Sequence, residues 1–108
     1  MKIMTAPTLR FDIYMAGPIH KAREVCQDYC DSTGFCVHIE KCDYIYTNGE
    51  ETGFKVGIIN YPRFPEGLLA LKNRAMKLAH MLRERCEQNS FSIVGPHETI
   101  FVSFREGD

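Results

Sequence analysis

The stretch FCVHIEKCDYIYTNGEETGFKVGII, residues 35–59, decides the fold. Phe35, Val37 and Ile39 alternate with Cys36, His38 and Glu40, and the same period of two continues through Tyr44, Ile45 and Tyr46, which is the pattern of a half-buried strand. A second run follows, with Phe54, Val56 and Ile58 alternating with Lys55, Gly57 and Ile59. Between them Asn48-Gly49, with Gly53 behind, supplies residues that tolerate the left-handed backbone a hairpin turn needs. The two runs are therefore expected to pair antiparallel, with Glu50 and Glu51 inside the turn.

Upstream of this hairpin, Phe11, Ile13 and Met15 alternate with Asp12, Tyr14 and Ala16 as a first strand, after a tail of residues 1–10 that has no period. Gly17-Pro18 ends that strand and sets the fixed φ of a helix start; Ile19, Ala22, Val25, Cys26, Tyr29 and Cys30 then recur at helical spacing to about Ser32, with Gly34 placed as the C-terminal cap. Downstream, Pro62 and Pro65 close the third strand, since proline cannot donate to a ladder, and Pro65 is placed to open a second helix. Leu68, Leu71, Ala75, Leu78, Ala79, Leu82 and Cys86 carry that helix. Residues 91–94 and 99–104 make a closing hairpin around Gly95-Pro96-His97-Glu98. The order β-α-β-β-α-β with an added C-terminal strand predicts an α+β, ferredoxin-like arrangement with two helices on one face of an antiparallel sheet. Two helices are too few to cover both faces of a doubly wound parallel sheet.

At 108 residues the chain is expected to form one domain over residues 1–108. Thirteen basic residues against fourteen acidic ones give a net charge of −1, so no positive field points to DNA. No run of about 18 apolar residues suggests a membrane span, and the N-terminus lacks the long apolar run of a secretory signal, which reads as a cytoplasmic protein. Cys26, Cys30, Cys36, Cys42 and Cys86 are odd in number and scattered through helix and strand patterns, and so read as free or buried thiols.

Candidate chemistry is sparse. Cys26, Cys30, Cys36 and His38 have the residue types of a zinc site, with the last two on one face of strand two, but the thiols of helix one sit on its apolar stripe, so no metal or other cofactor is expected. No cysteine lies at a helix start and no histidine is paired with one by sequence, so no catalytic residue is assigned. Lys72, Arg74, Lys77, Arg83 and Arg85 read as a solvated face of helix two with intrahelical ion pairs.

Two segments remain as binding candidates. Tyr14, Gly17 and Pro18 fall in Ile13-Tyr14-Met15-Ala16-Gly17-Pro18-Ile19, which resembles the opening strand and loop of the nucleoside 2-deoxyribosyltransferases, where a Tyr-x-Ala-Gly-Pro stretch begins the nucleoside pocket. The resemblance spans seven residues and implies a nucleoside ligand, a parallel-sheet domain and a glutamate nucleophile at a helix start, whereas Glu50 and Glu51 are read here as turn residues. The second segment, Asn60-Tyr61-Pro62-Arg63-Phe64-Pro65, is a rigid aromatic and basic link that either recognises a ligand or is a well-packed connection. Tyr14, Ile59 and Tyr61 are expected on an open sheet face that a second copy buries. Tyr14 and Tyr61 also suggest base stacking as in the RNA recognition motif.

The leading expectation is thus a small non-enzymatic binding or regulatory module, a homo-oligomer that inhibits or adapts a larger protein partner. Its site residues would be Tyr14, Gly17, Pro18, Ile59, Tyr61, Arg63 and Phe64, and the Asn48 turn would be free for a partner. The alternatives are an enzyme or sensor that binds a nucleoside or nucleotide, and a single-stranded RNA-binding domain.

Overall fold

The computed structural model describes all 108 residues as β1 (Arg10–Ala16), α1 (Ile19–Thr33), β2 (His38–Tyr46), β3 (Gly49–Ile59), α2 (Leu68–Arg85), β4 (Ser90–Val94) and β5 (Thr99–Ser103). The strands form one sheet in the order β2-β3-β1-β4-β5, and every neighbouring pair is antiparallel. The two helices pack together on one face of it, so the α+β ferredoxin-like fold with an added terminal strand holds. No helix is long and apolar enough to cross a membrane.

The core follows from the alternation. Phe11, Ile13 and Met15 of β1 lie beside Ile58, Val56 and Phe54 of β3, and these meet Val25 and Tyr29 of α1 and Leu71, Leu78 and Leu82 of α2 in one cluster of 19 buried residues. Each large side chain in it contributes about 1.5–3 kcal/mol by leaving water. Helix α1 stops where Gly34 takes φ 69, with the Gly34 and Phe35 N–H groups donating to the Cys30 carbonyl at 2.8 and 3.3 Å. This is the αL closure that glycine adopts without steric cost.

Three boundaries differ from the expectation. The sequence pattern started the second strand at Phe35, but β2 begins at His38. The Gly34 cap turns Phe35 into the core instead, edge-on to Tyr29 at 6.5 Å between ring centres and with the Arg74 guanidinium 4.1 Å from its own. The hairpin turn is only Thr47-Asn48, with Asn48 at φ 62, so Glu50 and Glu51 are strand residues paired with Ile45 and Tyr44 rather than turn residues. Helix α2 starts at Leu68, past Pro65.

The basic residues of α2 do not pair within the helix. Lys72 reaches Glu98 in the β4–β5 turn at 3.2 Å, Arg85 reaches Asp28 of α1 at 2.6 Å, Arg74 holds Glu66 ahead of the helix, and Arg83 lies 3.9 Å over the ring of Phe104. Tertiary neighbours were closer than the next turn. Such exposed pairs orient the helix more than they stabilise it.

At the far end of β3 the buried Asn60 leaves the sheet. Its N–H donates to the Leu9 carbonyl at 3.0 Å, its side-chain NH2 to the Pro7 carbonyl at 2.9 Å, and its Oδ1 accepts from the Glu66 N–H at 2.9 Å. One side chain thereby ties residues 7–9 to the loop that leads into α2.

Candidate functional site

The sheet face opposite the helices is uncovered, and one end of it is concave. Register puts Tyr14 of β1 next to Ser92 of β4, and Ser92 next to Phe101 of β5. Residues paired across a sheet share a face, so a small hydroxyl residue floors a slot with an aromatic ring on either side. Toward the hairpin the slot opens into a cleft of about 270 Å³ that Tyr44, Tyr46, Glu51, Gln88, Ser90 and Arg105 also line. This volume lies near the lower limit for sites that take a small molecule.

Tyr44 is built into the sheet. Its hydroxyl donates to the Phe54 carbonyl at 2.6 Å and accepts from the Met15 N–H at 3.2 Å, bridging the β1–β3 ladder at the Met15–Phe54 pair. Gly53 makes this approach feasible, because a Cβ there would sit 2.3 Å from the Met15 carbonyl oxygen and 2.7 Å from the Tyr44 ring. Burial drives the Tyr44 phenol well above its ordinary range, so it remains a neutral donor.

Tyr46 stands one strand period further out and donates to Glu51 Oε1 at 3.1 Å. That bond is the main reason its phenol titrates above the usual value, with the nearby Arg105 guanidinium opposing the shift. The cleft thus has a polar pole of Tyr46, Glu51 and Arg105. No histidine and no cysteine lines it.

The sequence candidates separate into two groups. Tyr14 is in the cleft, and Gly17 borders it at φ 130, a backbone that favours glycine, with its absent Cβ 3.0 Å from Gln88 Nε2. Pro18 follows as the N-terminal cap of α1. Ile59 pairs with Arg10 at the opposite end of β1, and Tyr61, Arg63 and Phe64 lie beyond it. Tyr61 is not on the open face: after Asn60 the chain leaves the strand, and Tyr61 packs on the helix side, 6.0 Å from Phe35 and 5.2 Å from Phe64 between ring centres. The proposed face of Tyr14, Ile59 and Tyr61 does not exist as a unit, and neither does a stacking platform for RNA across Tyr14 and Tyr61. The cysteines and histidine of the zinc-like set are likewise not brought together. Cys26, Cys30 and Cys36 line a hollow beside α1, while His38 leans over Gly57 on the other side of the sheet, and no three His, Cys, Asp or Glu residues are grouped to hold a metal ion.

Sequence reasoning missed Tyr44, Tyr46, Glu51, Gln88, Ser90, Ser92, Phe101 and Arg105. Tyr44 and Tyr46 fall out of phase with Val37 and Ile39, as Tyr14 does with Ile13 and Met15, and that was the available signal for the first two. Ser92, Phe101 and Arg105 depend on where β4 and β5 join the sheet.

No family model matches this sequence, and no curated protein sequence does. Two solved structures share its fold over nearly the whole length. A phage SAM lyase in the apo state superimposes with a TM-score of 0.67 at 14% identity, covering 99% of both chains. A phage SAM lyase in complex with S-methyl-5'-thioadenosine superimposes with a TM-score of 0.63 at 13% identity, covering 95% of both chains. The leading expectation of a non-enzymatic binding or regulatory module is corrected by this comparison, because these two solved structures are of a lyase, an enzyme. The alternative, an enzyme or sensor for a nucleoside or nucleotide, agrees with it better.

Proposed function

We propose that this chain is an enzyme that acts on an adenosine-bearing sulfonium compound, S-adenosylmethionine, in the open-face cleft and releases S-methyl-5'-thioadenosine. The observation that carries the reading is the slot of Tyr14, Ser92 and Phe101 beside Glu51. A flat purine fits between aromatic walls, where stacking favours any base by about 1–3 kcal/mol. A cationic sulfur and an ammonium group suit the Tyr46 ring and the Glu51 carboxylate, and Arg105 suits the carboxylate of the amino-acid end.

This chemistry needs no nucleophile from the protein. The substrate's own carboxylate attacks the aminobutyrate γ-carbon as that carbon's bond to sulfur breaks, closing a five-membered lactone; the electron pair of the broken bond goes to a sulfur that already bears positive charge, so a neutral thioether leaves without protonation. Binding the cationic sulfur tightly would lower the ground state more than a transition state in which that charge is being lost, and would slow the step. The useful contribution of Glu51, Tyr46 and Arg105 is to hold the flexible amino-acid end in the one geometry that reacts.

The test is incubation of the purified chain with S-adenosylmethionine and quantification of methylthioadenosine by mass spectrometry. Time-dependent release is expected, and Glu51→Gln is expected to slow it roughly 10- to 100-fold, the worth of one hydrogen bond to a charged group. No release, together with no thermal stabilisation by methylthioadenosine, overturns the reading.

A further inference from the structure

Beyond α2 the chain reverses sharply. Glu87 takes φ 55, and the next residue, Gln88, is held by its backbone on both sides: its N–H donates to the Arg83 carbonyl at 2.8 Å, and its own carbonyl accepts from Arg83 Nη1 at 3.3 Å. The side chain is fixed as well. Its Nε2 donates to the Cys86 carbonyl at 3.0 Å, and Gly17 passes so close that a Cβ would sit 3.0 Å from Nε2. One amide N–H and the Oε1 acceptor have no partner in the protein, and the half-buried side chain lines the cleft. A pre-oriented carboxamide with one free donor and one free acceptor is a recognition element for a base edge that offers the mirror pattern.

We infer that Gln88 is the specificity-determining residue of the cleft: Oε1 accepts from the 6-amino group of a purine while Nε2 donates to the adjacent ring nitrogen. The inference rests on the nucleoside reading of the cleft and deepens it to 6-aminopurine nucleosides. Adenine presents a donor beside an acceptor, and a glutamine pairs with both at once. On the N7 edge, which this pairing uses, a 6-oxopurine presents two acceptors, O6 and N7, and O6 faces Oε1. The amide cannot turn over to adapt without giving up its bond to Cys86. Tyr14 and Phe101 would then hold the ring faces.

The experiment measures, by calorimetry on the full chain, the affinities of methylthioadenosine, its 6-oxo counterpart methylthioinosine, and the smaller 6-deamino analogue. The wild type is expected to bind methylthioadenosine about tenfold or more tightly than either of the others, the discrimination of one bidentate pair. In Gln88→Leu the preference over methylthioinosine is expected to collapse to within about threefold, chiefly through loss of methylthioadenosine affinity. The wild-type comparison with the 6-deamino analogue needs no variant and holds even where Gln88→Leu misfolds. Equal binding of all three nucleosides by the wild type, or a preference that survives Gln88→Leu, overturns this inference and leaves the nucleoside reading in place. Failure of the wild type to bind any of them overturns both.

Discussion

The two faces of the central strands use the same residues in alternation and do opposite work. On the covered face Ile13, Val56 and Ile93 are fully or almost fully buried under the helices. One position along β1 on the other face, Tyr14 has Ser92 and Phe101 beside it and solvent above it. Nothing in the backbone distinguishes the faces; the difference is which one the two helices cover. A covered face is specified by volume and apolarity. An uncovered face is free to carry rings, hydroxyls and charges that the core would exclude at a cost of several kcal/mol per unpaired group.

The comparison breaks if the two faces respond alike to truncation. Phe54→Ala, at the centre of the covered face, is expected to cost about 3–5 kcal/mol in a denaturant melt, because the cavity beneath the helices cannot collapse fully. A loss below about 1 kcal/mol would mean that the core is not organised around Phe54.

Tyr44 lies between the two regimes, since it stands on the open face yet closes a gap in the ladder. Tyr44→Phe removes the hydroxyl that serves both the Met15 N–H and the Phe54 carbonyl, and about 1–3 kcal/mol of stability should go with it. An unchanged melting temperature would show that water takes over the bridge and that Tyr44 is an ordinary surface ring.

The smallest effect sharpens the correction made to Tyr61. Burial, then its contact with Cys36, pushes the Tyr61 phenol up from 10.0 to about 12, so the fold favours the protonated form. Its contribution to stability is complete below pH 10 and is lost as pH rises through the interval to about 12. The Tyr44 phenol, also raised, adds to the same loss. Stability measured across that interval should therefore fall less steeply in Tyr61→Phe than in the wild type. Identical slopes would mean that Tyr61 is not buried in the aromatic cluster with Phe35 and Phe64.

Much of the fold was legible because alternation and helical spacing are local signals. Every strand and helix was placed, and the Asn48 hairpin and the Gly34 cap marked the boundaries that the backbone uses. The errors came where a residue left its pattern. Phe35 continued the alternation of Val37 and Ile39 on paper, but the left-handed turn at Gly34 rotated it into the aromatic cluster with Tyr61 and Phe64. Tyr61 kept the parity of Ile59 on paper, but three hydrogen bonds to Asn60 pulled the chain off the sheet. The candidate cleft was legible only at Tyr14 and at neighbouring Gly17 and Pro18.

By itself the sequence determined which residues alternate, where the backbone must turn, and hence that two helices share one side of an antiparallel sheet, because each of these depends on contacts within a few residues. Only the tertiary structure decided what stands beside Tyr14. Strand order brings Ser92 and Phe101 to it from some 80 residues away along the chain, Gly53 lets Tyr44 close the ladder, and the reversal at Glu87 presents Gln88. A binding site is a set of distances between segments, and those distances are fixed by packing that no local pattern encodes.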